Sequence, residues 1–237
     1  MTSQHGTPSH TILHISDTHF VEDDALLHDK VDSDANLKLL FERLRASSIT
    51  PDSTVPGHHH GELTDEQLDW LAEELTTPAE HGTLVGLHHP PVPSPLGLIE
   101  LVELKDQERF ARVIEGTDVR GVLGGHLHYN TTSTFAGGIP VSVASATCYT
   151  QDLQVVFPGA CGMDGAQGYN LVHVYEDRVL HTVVPIAAHP TVYEMTPEIL
   201  QAFMEKSAEE QAAMVDAANR TEDSEQVLAG ASAGESA

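Results

Sequence analysis

Two short apolar runs, each ending in a cluster of aspartate or histidine, constrain this chain more than any other feature. Thr11-Ile12-Leu13-His14-Ile15 leads into Ser16-Asp17-Thr18-His19. Val119-Arg120-Gly121-Val122-Leu123 leads into Gly124-Gly125-His126-Leu127-His128. Short apolar runs bounded by turn signals are the pattern of buried strands. On an extended backbone, residues two apart share a side, so Asp17 is expected beside His19 and His126 beside His128. A third run, Gly82-Thr83-Leu84-Val85-Gly86-Leu87, ends in His88-His89-Pro90-Pro91. Open α/β sheets carry their sites at the carboxyl ends of such strands. One carboxylate and four imidazoles, from Asp17, His19, His88, His126 and His128, then predict a metal site. Borderline divalent ions suit that mixed nitrogen and oxygen set.

The remainder of the chain supplies elements around these ends. The first strand is expected over 10–16, with a loose polar stretch at 1–9. Helical spacing of Leu37, Leu40, Phe41 and Leu44 predicts a helix over 35–46, capped by Asp32, Ser33 or Asp34. A second helix is expected over 65–76, with a Thr64/Gln67 capping box and a stripe of Leu68, Leu71, Ala72 and Leu75. A strand over 82–88 follows, then a helix near 104–115 with Gln107, Phe110, Ala111 and Ile114 on one face, then a strand over 119–124. Beyond residue 130 the pattern turns all-β: Thr131–Ala136, Ile139–Thr147, Tyr169–Tyr175 and Val179–Pro185, with 150–168 as a long loop. Residues 197–218 read as a helix and 219–237 as a disordered tail. The domain proper is expected over 10–190, with a helical extension over 191–218.

The α/β alternation breaks once. After the helix at 35–46 the chain runs through a loop to Val55-Pro56-Gly57-His58-His59-His60-Gly61, and the next element is another helix. A helix lying on a parallel sheet should be followed by a strand after a short loop.

Charge narrows the partners. Eleven Lys and Arg against 36 Asp and Glu give a net charge of −25 over 237 residues. That excludes nucleic-acid backbones and anionic membranes as general partners. It permits a small anionic substrate, because bound cations invert the local field. Two cysteines, Cys148 and Cys161, make no disulfide framework, and Cys148 reads as a small buried hydrophobe. No run reaches the length of a transmembrane helix, and the first residues lack a basic, then apolar, leader pattern. A cytoplasmic location is the expectation.

The ordered set of motifs resembles the calcineurin-like metallophosphoesterases, and within them the bacterial class III cyclic-nucleotide phosphodiesterases. The residues that carry the resemblance are His14-Ile15-Ser16-Asp17-Thr18-His19, Ser53-Thr54-Val55-Pro56-Gly57-His58-His59-His60-Gly61, Leu87-His88-His89-Pro90-Pro91, Gly124-Gly125-His126-Leu127-His128 and Pro140-Val141-Ser142-Val143-Ala144-Ser145-Ala146-Thr147. They cover about 10–188. The resemblance implies a four-layer α/β/β/α sandwich with two divalent ions, from among manganese, iron and zinc. Asp17, His19 and His128 would hold the first ion, His88 and His126 the second, with Asp17 bridging. His88 is preferred to His89 because it matches the motif's first histidine. Hydroxide formed on the metals would attack phosphorus, which makes Asp17 and His126 catalytic through that hydroxide. His58, His59 and Asn130 would face the substrate, a cyclic nucleotide or another small phosphodiester. A homodimer is also implied.

Two motifs of that family are missing here: Gly-Asp-x-x-Asp, which supplies a bridging carboxylate, and Gly-Asn-His-Asp/Glu, which supplies a ligand and the leaving-group histidine. Both belong where the alternation breaks, near 46–53. At about 30 residues per βαβ unit the shortfall is roughly 60–80 residues. The first ion keeps three ligands, and the second keeps only two neutral ones. Three readings remain at this point: a phosphodiesterase, a catalytically dead metal-binding or interaction remnant, and a single-metal hydrolase using Asp17, His19 and His128.

Overall fold

Two antiparallel partners flank the second-last strand, and this arrangement sets the first sheet. In the computed structural model, which describes residues 6–19, 51–156, 158–192 and 194–216, β1 (His10–His14) pairs antiparallel with β8 (Gly168–Val174), and β8 pairs antiparallel with β9 (Val179–Pro185). The second sheet has the order β2 (Thr83–Gly86), β3 (Val119–Gly124), β5 (Ile139–Val143), β4 (Thr131–Phe135). Strands β2, β3 and β5 run parallel, and β4 closes the edge antiparallel through the Gly137-Gly138 turn. The fold class is mixed α/β, as expected. The expected helix at 35–46 and the tail at 219–237 lie outside the described residues.

The strand ends that carry Asp17, His88 and His126 belong to two sheets. β1 sits in the antiparallel sheet, and β2 and β3 sit in the mixed one. The two are stitched at the site itself. Ser16 bridges Ala146, the Thr147 amide donates to the Ser16 carbonyl at 3.1 Å, and the His14 ring donates through Nε2 to the Gly124 carbonyl at 2.9 Å. Nδ1 of His14, His173 and His181 is buried without a hydrogen-bond partner.

The core lies against the mixed sheet. Helix α1 (Asp65–Glu74) starts with the expected capping box: Thr64 Oγ1 accepts from the Gln67 amide, and Gln67 Oε1 accepts from the Thr64 amide. Its stripe buries Leu68 and Leu71, with Leu75 at the C-cap. Helix α2 (Gln107–Ile114) buries Phe110 and Ile114 completely, and Phe110 stacks on Phe135 of β4. Full burial of such a side chain stabilises by up to about 3 kcal/mol. Strand β3 is interior to the mixed sheet, with a partner on each edge and Val119 and Val122 buried.

Element ends differ from expectation where turn chemistry intervenes. The strand predicted over 139–147 stops at Val143, because Ala144–Thr147 peel off to meet Gly124 and Ser16. The loop at 150–168 contains a two-residue pair, β6 (Thr150–Gln151) with β7 (Gly162–Met163), and a short 3-10 turn at Ile99–Leu101 was not expected. Among the described residues, the outer edges of β1 and β2 have no partner strand. Beside them lies a cavity of about 1200 Å³, lined by Ile12, Leu71, Leu75, Leu84 and Leu123 and reaching Asp17 and His88.

The chain divides into two compact units, Met1–Ala188 and His189–Ala237. In the second, helix α3 (Pro197–Met204) is capped by Thr196, whose Oγ1 accepts from the Ile199 amide. The helix expected over 197–218 is interrupted at 205–207 and resumes at 208–216. Ser207 and Glu210 form a second capping box there, each side chain accepting from the other's amide, and that starts a new helix. No helix among the described residues is long and apolar enough to cross a membrane.

Candidate metal centre

Four of the five predicted metal ligands leave regular structure through the left-handed region. Asp17 has φ 51°, His19 43°, His126 67° and His128 57°. The premise of strand alternation is therefore corrected, because β1 ends at His14 and β3 at Gly124. The same residues meet through tight turns instead. Non-glycine residues adopt this conformation rarely, and they persist there where the surrounding structure overdetermines them. Gly125 permits the approach of the two turns: a Cβ on it would lie 1.6 Å from Ser16 Oγ and 3.2 Å from Asp17 Oδ2.

The two oxygens of Asp17 have separate tasks. Oδ2 is fixed, accepting from the Ser16 hydroxyl at 2.5 Å and from the His126 backbone amide at 2.8 Å. Oδ1 is buried without a hydrogen-bond partner. Around it stand His128 Nε2 at 3.3 Å, His19 Nε2 at 3.6 Å and His88 Nε2 at 3.6 Å. An orphaned carboxylate oxygen in the interior is costly. Three imidazole nitrogens converging on it form a cradle that a cation completes, so the residues fit a divalent ion.

The histidines are oriented from behind. His128 donates through Nδ1 to the Tyr149 carbonyl at 2.9 Å, which directs Nε2 at Asp17. The carbonyl of Val102 hydrogen-bonds the His126 ring, and His126 Nε2 is buried without a partner. A backbone carbonyl that fixes one ring nitrogen and frees the other is the usual outer support of a metal-binding histidine. Ligand atoms of His88, His89 and His126 lie within 4.8 Å of one another, as do those of His19, His128 and Cys148.

Electrostatics split the centre. Burial raises the Asp17 carboxyl, but His128 and His19 outweigh it and hold the group well below the usual carboxylate range. Burial lowers His128, but Asp17 and then Cys148 push it up to about 10. His126 is driven the other way: burial first, then His89 and His88, push it down to about 4. Burial also lowers His88. Neutral imidazoles are the form that binds metal.

Other sequence-predicted residues fall as follows. His58 and His59 are exposed on the loop before Gly61, and the His58 ring lies 5.0 Å from that of His60. Asn130 spends both amide hydrogens, on the Val143 carbonyl and on Asn170 Oδ1, each at 3.0 Å. Sequence reasoning missed three supporting roles. Ser16 anchors Asp17. His89 is buried against the rings of His88 and His126. Cys148 is more than a small hydrophobe, for its Sγ lies 3.8 Å from His128 Nδ1. The doubled histidine at 88–89 was the only signal of the second role, and it does not say which ring faces a metal.

Comparison with known proteins then separates the fold from its history. No protein-family model matches the chain. A probable cyclic nucleotide phosphodiesterase of Rhodococcus erythropolis is 64% identical over 146 residues, which are 62% of this chain and 48% of that protein. A cAMP/cGMP dual specificity phosphodiesterase of Mycobacterium tuberculosis is 40% identical over 267 residues, covering 80% of this chain and 84% of that protein. The chain belongs to the cyclic-nucleotide phosphodiesterase family. A 3′,5′-cyclic adenosine monophosphate phosphodiesterase, CpdA, of Haemophilus influenzae is 37% identical over 98 residues, 41% of this chain and 35% of that protein. The chain spans about half the length of the Rhodococcus relative.

The Mycobacterium alignment also measures what this family member lacks. Eighty per cent of 237 residues is about 190, so about 77 of the 267 aligned positions have no residue of this chain. Among solved structures, a dimetal phosphatase from Danio rerio matches with a TM-score of 0.40 and 19% identity, over 54% of this chain and 37% of that one.

Proposed function

We propose that this chain is a metal-dependent phosphodiesterase acting on cyclic nucleotides of the 3′,5′-cAMP type or on other small phosphodiesters. The observation that carries the reading is Asp17 Oδ1, buried without a hydrogen-bond partner, with three imidazole nitrogens within 3.6 Å. The names of the relatives support the substrate class.

Asp17, His19 and His128 would hold one ion. His88 and His126 would hold a second, with Asp17 reaching both. The donor set suits manganese, iron or zinc. An ion here supplies Lewis acidity at phosphorus and acidifies water. The protein's own part is positional. Ser16 and the His126 amide hold Oδ2 so that Oδ1 faces inward. The Tyr149 and Val102 carbonyls set the His128 and His126 rings. His58 and His59 form the substrate-side wall, and Asn130 can reach a substrate only through its amide oxygen. The family's leaving-group histidine is missing from the sequence, so the leaving oxygen takes its proton from solvent or from the loop histidines.

The missing positions are assigned to the stretch near 46–53, within a domain over 10–190 that is followed by a helical extension and a polar tail. A homodimer in the cytoplasm completes the reading. The shortfall of about 77 aligned positions favours a second reading, a one-ion remnant with little or no turnover. Manganese-supplemented hydrolysis of an aryl phosphodiester by the purified chain, beside Asp17→Ala, separates the two. Turnover that vanishes in the variant supports the enzyme. A folded wild type no faster than the variant supports the remnant.

A further inference from the structure

His89 is only 3% exposed, and both of its ring nitrogens are already committed. Nδ1 lies 3.0 Å from the Ser53 hydroxyl, and Nε2 lies 3.1 Å from the His59 backbone carbonyl. A carbonyl only accepts, so Nε2 carries the proton and Nδ1 accepts from Ser53. The Ser53 oxygen in turn accepts from the His89 backbone amide at 3.2 Å. The ring's faces are used as well. It stands 4.3 Å from the His126 ring and 4.8 Å, nearly perpendicular, from the His88 ring. Gly61 leaves it room, since a Cβ there would lie 2.4 Å from the His89 ring.

We propose that His89 is a positioning residue rather than a metal ligand: it is a wedge packed against both His88 and His126, whose own rings meet edge to face at 5.1 Å, and it straps the loop 53–61 to them. Although its nitrogens lie within metal-binding distance of its neighbours', neither has a lone pair to offer without breaking a buried hydrogen bond. The strap has a second fastening, because the Glu62 amide donates to the Ser53 carbonyl at 3.1 Å and Gly61 bridges Leu104. Through His59 the same ring sets the height of the His58–His60 loop beside the centre. This inference rests on the reading of the centre given above, but its decisive measurements use the metal-free chain.

Three variants separate wedge from strap. His89→Phe keeps the ring volume and loses both hydrogen bonds. His89→Gln keeps a donor for the His59 carbonyl and loses the ring. Ser53→Ala removes one tie without touching the wedge. Amide exchange at His58 and Glu62 should quicken by about tenfold in the Phe and Ala variants, the value of a buried hydrogen bond, and return towards wild type in the Gln variant. Histidine ring NMR of the metal-free chain should show His88 and His126 shifts kept in His89→Phe and changed in His89→Gln. Unchanged exchange in both His89→Phe and Ser53→Ala would overturn the strap, and unchanged rings in His89→Gln would overturn the wedge. With zinc added, the ring nitrogens of His88 and His126 should move and those of His89 should not; direct zinc shifts at His89 would overturn its assignment as a non-ligand. If no histidine responds to zinc, the metal-centre reading fails, and the metal-free results alone decide the positioning role.

Discussion

His126 and His128 sit two residues apart on one turn, with similar left-handed backbones, yet their rings live in opposite fields. His128 faces Asp17 and is pushed up to about 10. His126 faces burial and the rings of His89 and His88, and is pushed down to about 4. The difference lies in what each ring meets across the fold. One half of the centre holds its only carboxylate among the described residues, and the other holds imidazoles alone. A dication gains most where an anion already waits, so under the reading proposed above the Asp17 half is the stronger site and the His126 half the weaker.

The sharpest way to break this contrast is to remove its anion. Asp17→Asn should lower His128 from about 10 towards its ordinary value in the metal-free chain, read by NMR titration. The same substitution should cut any metal-dependent turnover by at least about a thousandfold, about 4 kcal/mol of barrier. Both effects failing together would show that Oδ1 is not the hub.

Next in size is the pH dependence of stability without metal. His14 is lowered to about 4, chiefly by burial. The unfolded chain binds its proton near 6.5, so this stability is complete above 6.5 and lost as pH falls towards 4. The full loss is on the order of 3 kcal/mol. His128 has the opposite sign: its contribution is complete below 6.5 and lost as pH rises through 10. Chemical denaturation in chelator should therefore find a maximum near 6.5. Asp17→Asn should flatten the alkaline side, and it should also remove the Asp17 carboxylate's own loss of stability at low pH, since that group is held well below the usual carboxylate range.

The contrast also predicts unequal ions. Cobalt titration should show one tight site and a second about 100-fold weaker, since lost supporting groups alone cost 10–100-fold. Two equal sites would mean that the imidazole half has found another anion. The smallest effect lies outside the contrast. Thr64→Ala removes the α1 cap and should cost about 1 kcal/mol, seen as a lower thermal midpoint with the ratio of the two metal affinities unchanged.

What was legible in the sequence follows from what is local. The capping box at Thr64 and Gln67, the buried faces of α1 and α2, and β3 at its stated bounds are set by side-chain periodicity and by bonds within a few residues. Asp17, His19, His88, His126 and His128 were legible as a set because each follows an apolar run. Ser207 and Glu210 were equally local, and their capping box went unread.

Tertiary structure decided the rest. The sequence does not reveal that β1 pairs with β8, about 160 residues later, and so lies in a different sheet from β3. Nor does it reveal that Asp17 and His19 take left-handed backbones at the place where Gly125, more than 100 residues later, closes on Ser16. The choice between His88 and His89 is the clearest case. Adjacent and chemically identical, they differ only in what packs against them: His88 presents Nε2 to Asp17, while His89 spends both nitrogens on Ser53 and His59. A residue's type is written in the chain, but its free lone pair depends on which distant groups have already claimed the others.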